Sequence, residues 1–293
     1  MTVDEAHIMT RQTLETIYPR GEAEAIWRIL IDKWLHYTPV DVVLRGSSEL
    51  PEPVEAKLRD ALPRLCNYEP VQYVVGSAVF HGLDIEVNPH TLIPRVETEQ
   101  LVDMIVDRHG KEQDLRVLDV ATGSGCIALS LARWLPFSQV EALDISAEAL
   151  AVARRNAKAL RCKVAFREAD ILALEPPAQP CHDIVVSNPP YIAAHEADAM
   201  EPNVLRYEPH MALFVPDDDA LLFYRAIARY AAASLVNGGC LYFEINPLFA
   251  RGTADVLEQA GFADVHIVRD FYGRERFAWA VNDNDNNNET VNT

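Results

Sequence analysis

The sequence predicts an α/β protein: a mostly parallel seven-stranded sheet covered by helices on both faces, preceded by a small N-terminal helical domain and a linking β-hairpin. From Leu115 onward, short β-rich runs alternate with helical ones, as in a parallel sheet whose crossovers are helices. Before residue 66, apolar residues recur at helical spacing, and between residues 70 and 95 β-formers alternate with turn residues. The expected divisions are 1–66 helical, 67–95 hairpin linker, 96–281 sheet domain and 282–293 a disordered tail.

Taken in order, Ala25, Ile26, Trp27, Ile29, Leu30, Ile31, Trp34 and Leu35 form an apolar helical stripe. A second helix is expected over 54–62, behind Pro51-Glu52-Pro53 and ended by Pro63. The runs 71–76, 79–80 and 85–87 are expected as the hairpin, closed by Asn88-Pro89, with a helix over 98–106. Strands are then expected at 116–120, 140–144, 164–166, 184–186, 240–245, 265–268 and 277–281. Helices at 126–135, 147–160, 219–236 and 248–260 intervene. The tail from Asn282 is rich in Asn and Asp and too polar to bury.

The 293 residues suffice for one large domain and a small one. No apolar run approaches the roughly 20 residues a membrane helix needs, and the acidic start (Asp4, Glu5) has no signal-peptide core. Cys66, Cys126, Cys162, Cys181 and Cys240 show neither CxxC nor Cys/His spacing. That argues against a zinc site or a disulfide framework and fits a reducing cytoplasm. With 26 basic and 44 acidic residues the net charge is −18. Such a field opposes phosphate, so direct nucleic-acid binding is not expected, and basic patches on a partner are favoured.

The first motif, Asp119-Val120-Ala121-Thr122-Gly123-Ser124-Gly125, joins the first strand to a helix. Gly123 and Gly125 allow a sharp turn and close approach of a ligand to the backbone, at the strand end where open α/β sheets bind ligands. No Gly-Lys-Ser/Thr follows, so the Walker pattern is absent. Asp144 ends the second strand, where a carboxylate accepts from both ribose hydroxyls of an adenosine; a dinucleotide would satisfy this as well. Asp119 favours an ammonium group over a pyrophosphate. A ligand with a ribose and no phosphate, such as S-adenosylmethionine, fits both acids. Asp170, ending the third strand, is placed to accept from the adenine amine. Each Asp also serves as a helix cap in the simpler reading.

The second motif, Asn188-Pro189-Pro190-Tyr191, ends the fourth strand. Two prolines remove two backbone donors, so the segment leaves the ladder and its carbonyls are open to a ligand. Asn188 Oδ1 and the Pro189 carbonyl then form adjacent acceptors, which suit the two donors of an NH₂ group. A carboxylate there would be repelled. Tyr191 is placed to stack on a flat target or face a sulfonium. Read alone, the motif is also compatible with a plain turn.

These residues resemble the HemK-like protein-(glutamine-N5) methyltransferases, specifically the release-factor glutamine methyltransferases. The resemblance runs from about Glu69 to Val281 and includes Glu69-Pro70-Val71-Gln72-Tyr73-Val74-Val75-Gly76, Phe80-His81-Gly82 and Leu92-Ile93-Pro94-Arg95-Val96-Glu97-Thr98-Glu99. It implies a Rossmann-like class I S-adenosylmethionine-dependent methyltransferase fold, S-adenosylmethionine as methyl donor, and a class I peptide-chain release factor as partner. The methylated group would be the Gln of its Gly-Gly-Gln loop, and the N-terminal helices would help to dock it. The implied cofactor site comprises Asp119, Ala121, Thr122, Gly123, Ser124, Gly125, Asp144, Asp170, Ile171 and Asn188, and the implied substrate site Asn188, Pro189, Pro190 and Tyr191. Catalysis would fall to Asn188, Pro189 and Tyr191, without metal. The chain departs from the pattern at Ala121 for Gly, Val96 for Pro, Ile171 for an aromatic, and Asn246-Pro247 for Gly and Gln. Arg95 is expected to steady the substrate loop or to form a structural salt bridge. A ribosomal-protein Gln, or an amine of DNA or RNA, is the alternative target.

Overall fold

The computed structural model describes residues 1–283, apart from the Ala199 side chain; the expected tail from 284 onward lies outside the described residues. The chain divides into two compact units. The first holds Met1–Ser77 and Glu201–Tyr207, and the second Ala78–Met200 and the chain from Glu208. The expected linker 67–95 is thus split after Ser77.

The first unit contains α1 (Val3–Leu14), α2 (Arg20–Leu35), α3 (Pro39–Leu44), α4 (Glu52–Cys66) and α5 (Val71–Val75). Thr2 opens α1 with a capping box to Glu5. Leu14, Leu30, Leu58 and Leu65 form its buried core. Two expectations are corrected here. Pro63 does not end α4, which runs through it to Cys66. A proline inside a helix costs about 3 kcal/mol; burying Leu65 returns about 1.5–3 kcal/mol of it, and Asn67 N–H caps the Pro63 and Arg64 carbonyls of the last turn. The run 71–75 is a helical turn, not a strand. Pro70 supplies a helix-compatible φ of −55°, Gly76 stops the turn at φ 82°, and Val71 and Tyr73 are buried, so packing overrides β-propensity.

The second unit opens with the hairpin β1 (Ser77–Phe80) and β2 (Leu83–Glu86), then α6 (Val96–His109). The alternating part follows: β3 (Arg116–Val120), α7 (Cys126–Trp134), β4 (Gln139–Asp144), α8 (Ala147–Leu160), β5 (Val164–Glu168) and β6 (His182–Ser187). Two short strands, β7 (Ile192–Ala193) and β8 (Phe214–Val215), pair in parallel; the helix α9 (Pro202–Tyr207), which falls between them in sequence, belongs to the first unit. The unit closes with α10 (Leu222–Ser234), β9 (Leu235–Glu244), α11 (Ala250–Gln259), β10 (Phe262–Arg269) and β11 (Glu275–Asn282).

The seven-stranded sheet has the order β10-β11-β9-β6-β3-β4-β5, parallel from β9 to β5, with β11 antiparallel to both neighbours. The chain runs outward from β3 through β4 and β5, then returns to β6 on the other side of β3. That reversal opens a crevice at the carboxyl ends of β3 and β6. Val117, Leu118, Ile184, Val185 and Val186 are buried, as central parallel strands require. Strand β9 starts at Leu235, five residues before the expected start at 240, and Gly238 (φ 81°) lies in an irregularity of register inside it. Asn282 is not tail: it ends β11, is buried, and donates Nδ2 to the Leu235 carbonyl at 2.8 Å.

Candidate active site

Strand β3 carries Asp119 into the turn, where Ala121, Gly123 and Gly125 all have positive φ (59°, 55° and 83°). A Cβ on Gly125 would stand 3.2 Å from Ala153 Cβ and 3.3 Å from Leu129 Cδ1, so this glycine lets α7 approach α8. A Cβ on Gly123 would meet open space; its glycine answers to the left-handed backbone alone. Asp144, at the end of β4, pins the turn: Oδ2 accepts from Gly123 N–H at 2.8 Å and Oδ1 from Ser146 N–H at 2.9 Å. Each oxygen retains acceptor capacity for a ligand hydroxyl.

Asp119 is fully buried beneath the turn. Its Oδ2 accepts from the Thr122 hydroxyl at 2.5 Å and from Ala128 N–H at 3.1 Å. Its Oδ1 has no hydrogen-bond partner among the described residues. Burial pushes the carboxyl up to about 7, and the neighbouring Asp144 charge adds to the shift. A buried, unbalanced carboxylate favours a cation nearby.

A cavity of about 380 Å³ opens across the carboxyl ends of β3, β4, β5 and β6, within the range of small-molecule sites. Ala121, Thr122, Gly123 and Ser124 line it from the turn, Asp144 from β4, Asp170 and Ile171 from beyond β5, and Asn188 and Pro190 from beyond β6. Asp170 also caps its own turn, Oδ1 accepting from Leu172 N–H at 2.9 Å. Ile171, only 6% exposed, forms part of the hydrophobic core as well as the wall. The orphaned Asp119 oxygen, the Asp144 carboxylate and the apolar wall fit S-adenosylmethionine, which joins an ammonium, a ribose and a flat base without phosphate.

Four of the expected site residues lie off the cavity wall: Asp119 and Gly125 beneath the turn, and Pro189 and Tyr191 in the packed layer behind Asn188. Tyr191 packs against the core, and its hydroxyl donates to Glu244 Oε1 at 3.0 Å. Glu244 ends β9 and is 1% exposed. Its Oε2 accepts from the Thr98 hydroxyl at 2.6 Å, and Thr98 Oγ1 accepts from Asn188 Nδ2 at 3.3 Å. Burial raises the Glu244 carboxyl, against the hydroxyls of Thr98 and Tyr191 and the Arg276 guanidinium. Asn246 staples the loop by donating Nδ2 to the Tyr191 carbonyl at 3.1 Å and to Glu196 Oε1 at 3.0 Å.

Residues 89–92, 94, 95 and 98 on one segment, and 209, 211 and 212 on another, also line the cavity. Glu208, 3% exposed, holds the first of them: it accepts from Ile93 N–H at 3.0 Å and pairs with Arg95 at 2.5 Å. Thr98, Glu208, Glu244 and Asn246 carried no expected role in the sequence. Glu244 had a usable signal, a carboxylate closing the apolar run Leu241-Tyr242-Phe243 at a strand's carboxyl end. Glu208 stands in an irregular segment with none.

The topological switch point and the cavity built on it are those of the class I S-adenosylmethionine-dependent methyltransferases, the class to which this enzyme belongs. A family model described as methyltransferase small domain matches residues 97–206, and one described as PrmC N-terminal domain matches residues 5–76. The chain belongs to the release factor glutamine methyltransferase family. It is 41% identical to a protein so named from Bacteroides thetaiotaomicron, over 92% of this chain and 96% of that protein. It is also 41% identical to a namesake from Flavobacterium psychrophilum, over 90% of this chain and 94% of that one. Among solved structures, a methyltransferase from Pyrococcus furiosus superposes with a TM-score of 0.52 at 16% identity, over 76% of this chain and 98% of that one; this likeness concerns the fold. No helix of the described residues is long and apolar enough to cross a membrane.

Proposed function

We propose that the enzyme methylates the side-chain amide nitrogen (N5) of the glutamine in the Gly-Gly-Gln motif of class I peptide-chain release factors. The observation that carries this reading is Asn188, which lines the same cavity as Asp144 and the glycine turn while its Nδ2 is engaged by Thr98. Its Oδ1 is then the end that serves an incoming NH₂ group. The names of the relatives supply the class of protein that carries this group. The reading assigns the work to the cytoplasm, where peptide chains are released.

S-adenosylmethionine, when bound, supplies an electrophilic methyl group on a sulfonium sulfur. In this reading Asp144 accepts from the ribose, Asp170 and Ile171 take the adenine, and Asp119 stabilises the ammonium end through its unbalanced charge. Asn188 Oδ1 accepts one amide hydrogen and turns the nitrogen toward the methyl, while Pro189, off the cavity wall, offers the second hydrogen only its backbone carbonyl. The amide lone pair is conjugated and weakly nucleophilic, so alignment supplies most of the acceleration. Pro190 walls the target, and Tyr191 braces the loop through Glu244.

Purified enzyme with labelled donor is expected to label a release factor at this glutamine. Equal or greater labelling of a ribosomal protein or of DNA would overturn the choice of substrate.

A further inference from the structure

The amide of Asn188 has two ends of nearly equal shape, and only its oxygen suits an incoming NH₂ group. Turned over, it would set N–H donors against N–H donors. A hydrogen-bond chain that starts at the cavity wall and runs inward bears on which end is presented. Asn188 Nδ2 donates to Thr98 Oγ1 at 3.3 Å, and Thr98 donates to Glu244 Oε2 at 2.6 Å. Tyr191 occupies the other carboxylate oxygen at 3.0 Å. Thr98 and Glu244 are 2% and 1% exposed, so water has little access to substitute for either.

The polarity of this chain runs one way. Both Glu244 oxygens accept hydroxyl protons, one from Thr98 and one from Tyr191, so the single Thr98 proton is committed to Glu244. Thr98 Oγ1 then has only lone pairs to offer, and its partner must be a donor. With Asn188 reversed, Oδ1 would face Thr98 Oγ1 with no proton between them, a buried unsatisfied contact. The three residues come from three elements, with Thr98 in α6, Glu244 at the end of β9 and Asn188 just after β6.

We infer that Glu244 and Thr98 are positioning residues that lock the Asn188 amide with its oxygen toward the substrate, and that this lock sets the preference for glutamine over glutamate. The inference rests on the glutamine reading above.

The test compares Thr98→Val, Thr98→Ser and Glu244→Gln with the unsubstituted enzyme. The substrates are an intact class I release factor and the same factor carrying Glu at the target position. Thr98→Val keeps the shape and removes the hydroxyl. Glu244→Gln supplies an amide able to donate to Thr98 and reverse the chain. Both are expected to lower kcat by about 10- to 100-fold, the scale of a misplaced reacting group, with donor affinity by calorimetry unchanged within several-fold. The binding preference for the Gln over the Glu factor should narrow in both. Thr98→Ser, which keeps the hydroxyl, should restore turnover and preference together.

Unchanged turnover and preference in Thr98→Val would overturn the inference. So would an equal loss in Thr98→Ser, or a donor affinity that falls in step with kcat. Failure of the unsubstituted enzyme to label the glutamine would overturn the underlying reading and this inference with it. Normal labelling by that enzyme together with an unaffected Thr98→Val overturns the inference alone.

Discussion

Arg95 and Glu208, more than a hundred residues apart in sequence, meet at 2.5 Å beside the cavity. Glu208 is nearly fully buried and also accepts from Ile93 N–H. Arg95→Ala is therefore expected to leave a buried carboxylate short of its cation. The expected loss is about 1–3 kcal/mol, as for hydrogen bonds to charged groups, read from urea unfolding. Release-factor KM should rise as the segment 89–98 loosens. A variant with wild-type stability and KM would show that the pair holds nothing in place.

Asp119 gives a pH dependence with a definite sign. Its ordinary value is 3.8, and burial holds it at about 7 in the folded protein. Below about 7 it is protonated and offers less to an ammonium, so donor affinity should tighten as pH rises through that value. Stability runs the other way. The favourable contribution is complete below the ordinary value and is lost as pH rises toward 7. Asp119→Asn should flatten both curves, weakening donor binding at about pH 8 while raising the melting temperature there. A variant that binds donor normally would remove Asp119 from the site.

Ala121 occupies a left-handed conformation (φ 59°) where the related sequences were expected to have glycine. An L-residue there carries about 1–2 kcal/mol of strain, against roughly 0.4–1 kcal/mol that glycine loses through unfolded-state entropy. Ala121→Gly is thus expected to stabilise the protein by about 0.5–1 kcal/mol in chemical denaturation. Destabilisation would mean that the alanine methyl group has a packing role.

Asp144→Ala removes the acceptor of the Gly123 and Ser146 amides as well as the proposed ribose partner. Donor affinity by calorimetry should fall by roughly 1–3 kcal/mol. An unchanged affinity would refute the ribose role.

The parallel strands and the two chemical motifs were legible in the sequence because each is local. Residues 117–120 form a short apolar run broken only at Asp119, and the turn and the Asn-Pro-Pro-Tyr loop follow their strands directly. What the residues 71–75 would do was not legible, since a Val-rich run reads as strand until Pro70, Gly76 and the buried core decide for helix. The support behind Asn188 was illegible for a different reason. Glu244 and Asn188 are brought together by the pairing of β9 with β6, and Thr98 by the packing of α6 on β9; no local spacing encodes that meeting. The role of Tyr191 illustrates the consequence: it was expected to stack on a flat target or face a sulfonium, and its hydroxyl lies on a buried carboxylate.

The proposed reaction turns on the presentation of a glutamine amide to the methyl donor by Asn188. It is tested most directly by intact-mass and fragment analysis of a class I release factor after reaction with the unsubstituted enzyme and with Asn188→Ala. The expected result is a single methyl group on the Gly-Gly-Gln glutamine, nearly abolished in Asn188→Ala, with donor affinity retained within several-fold. A methyl group on another residue, or undiminished methylation by Asn188→Ala, would contradict it.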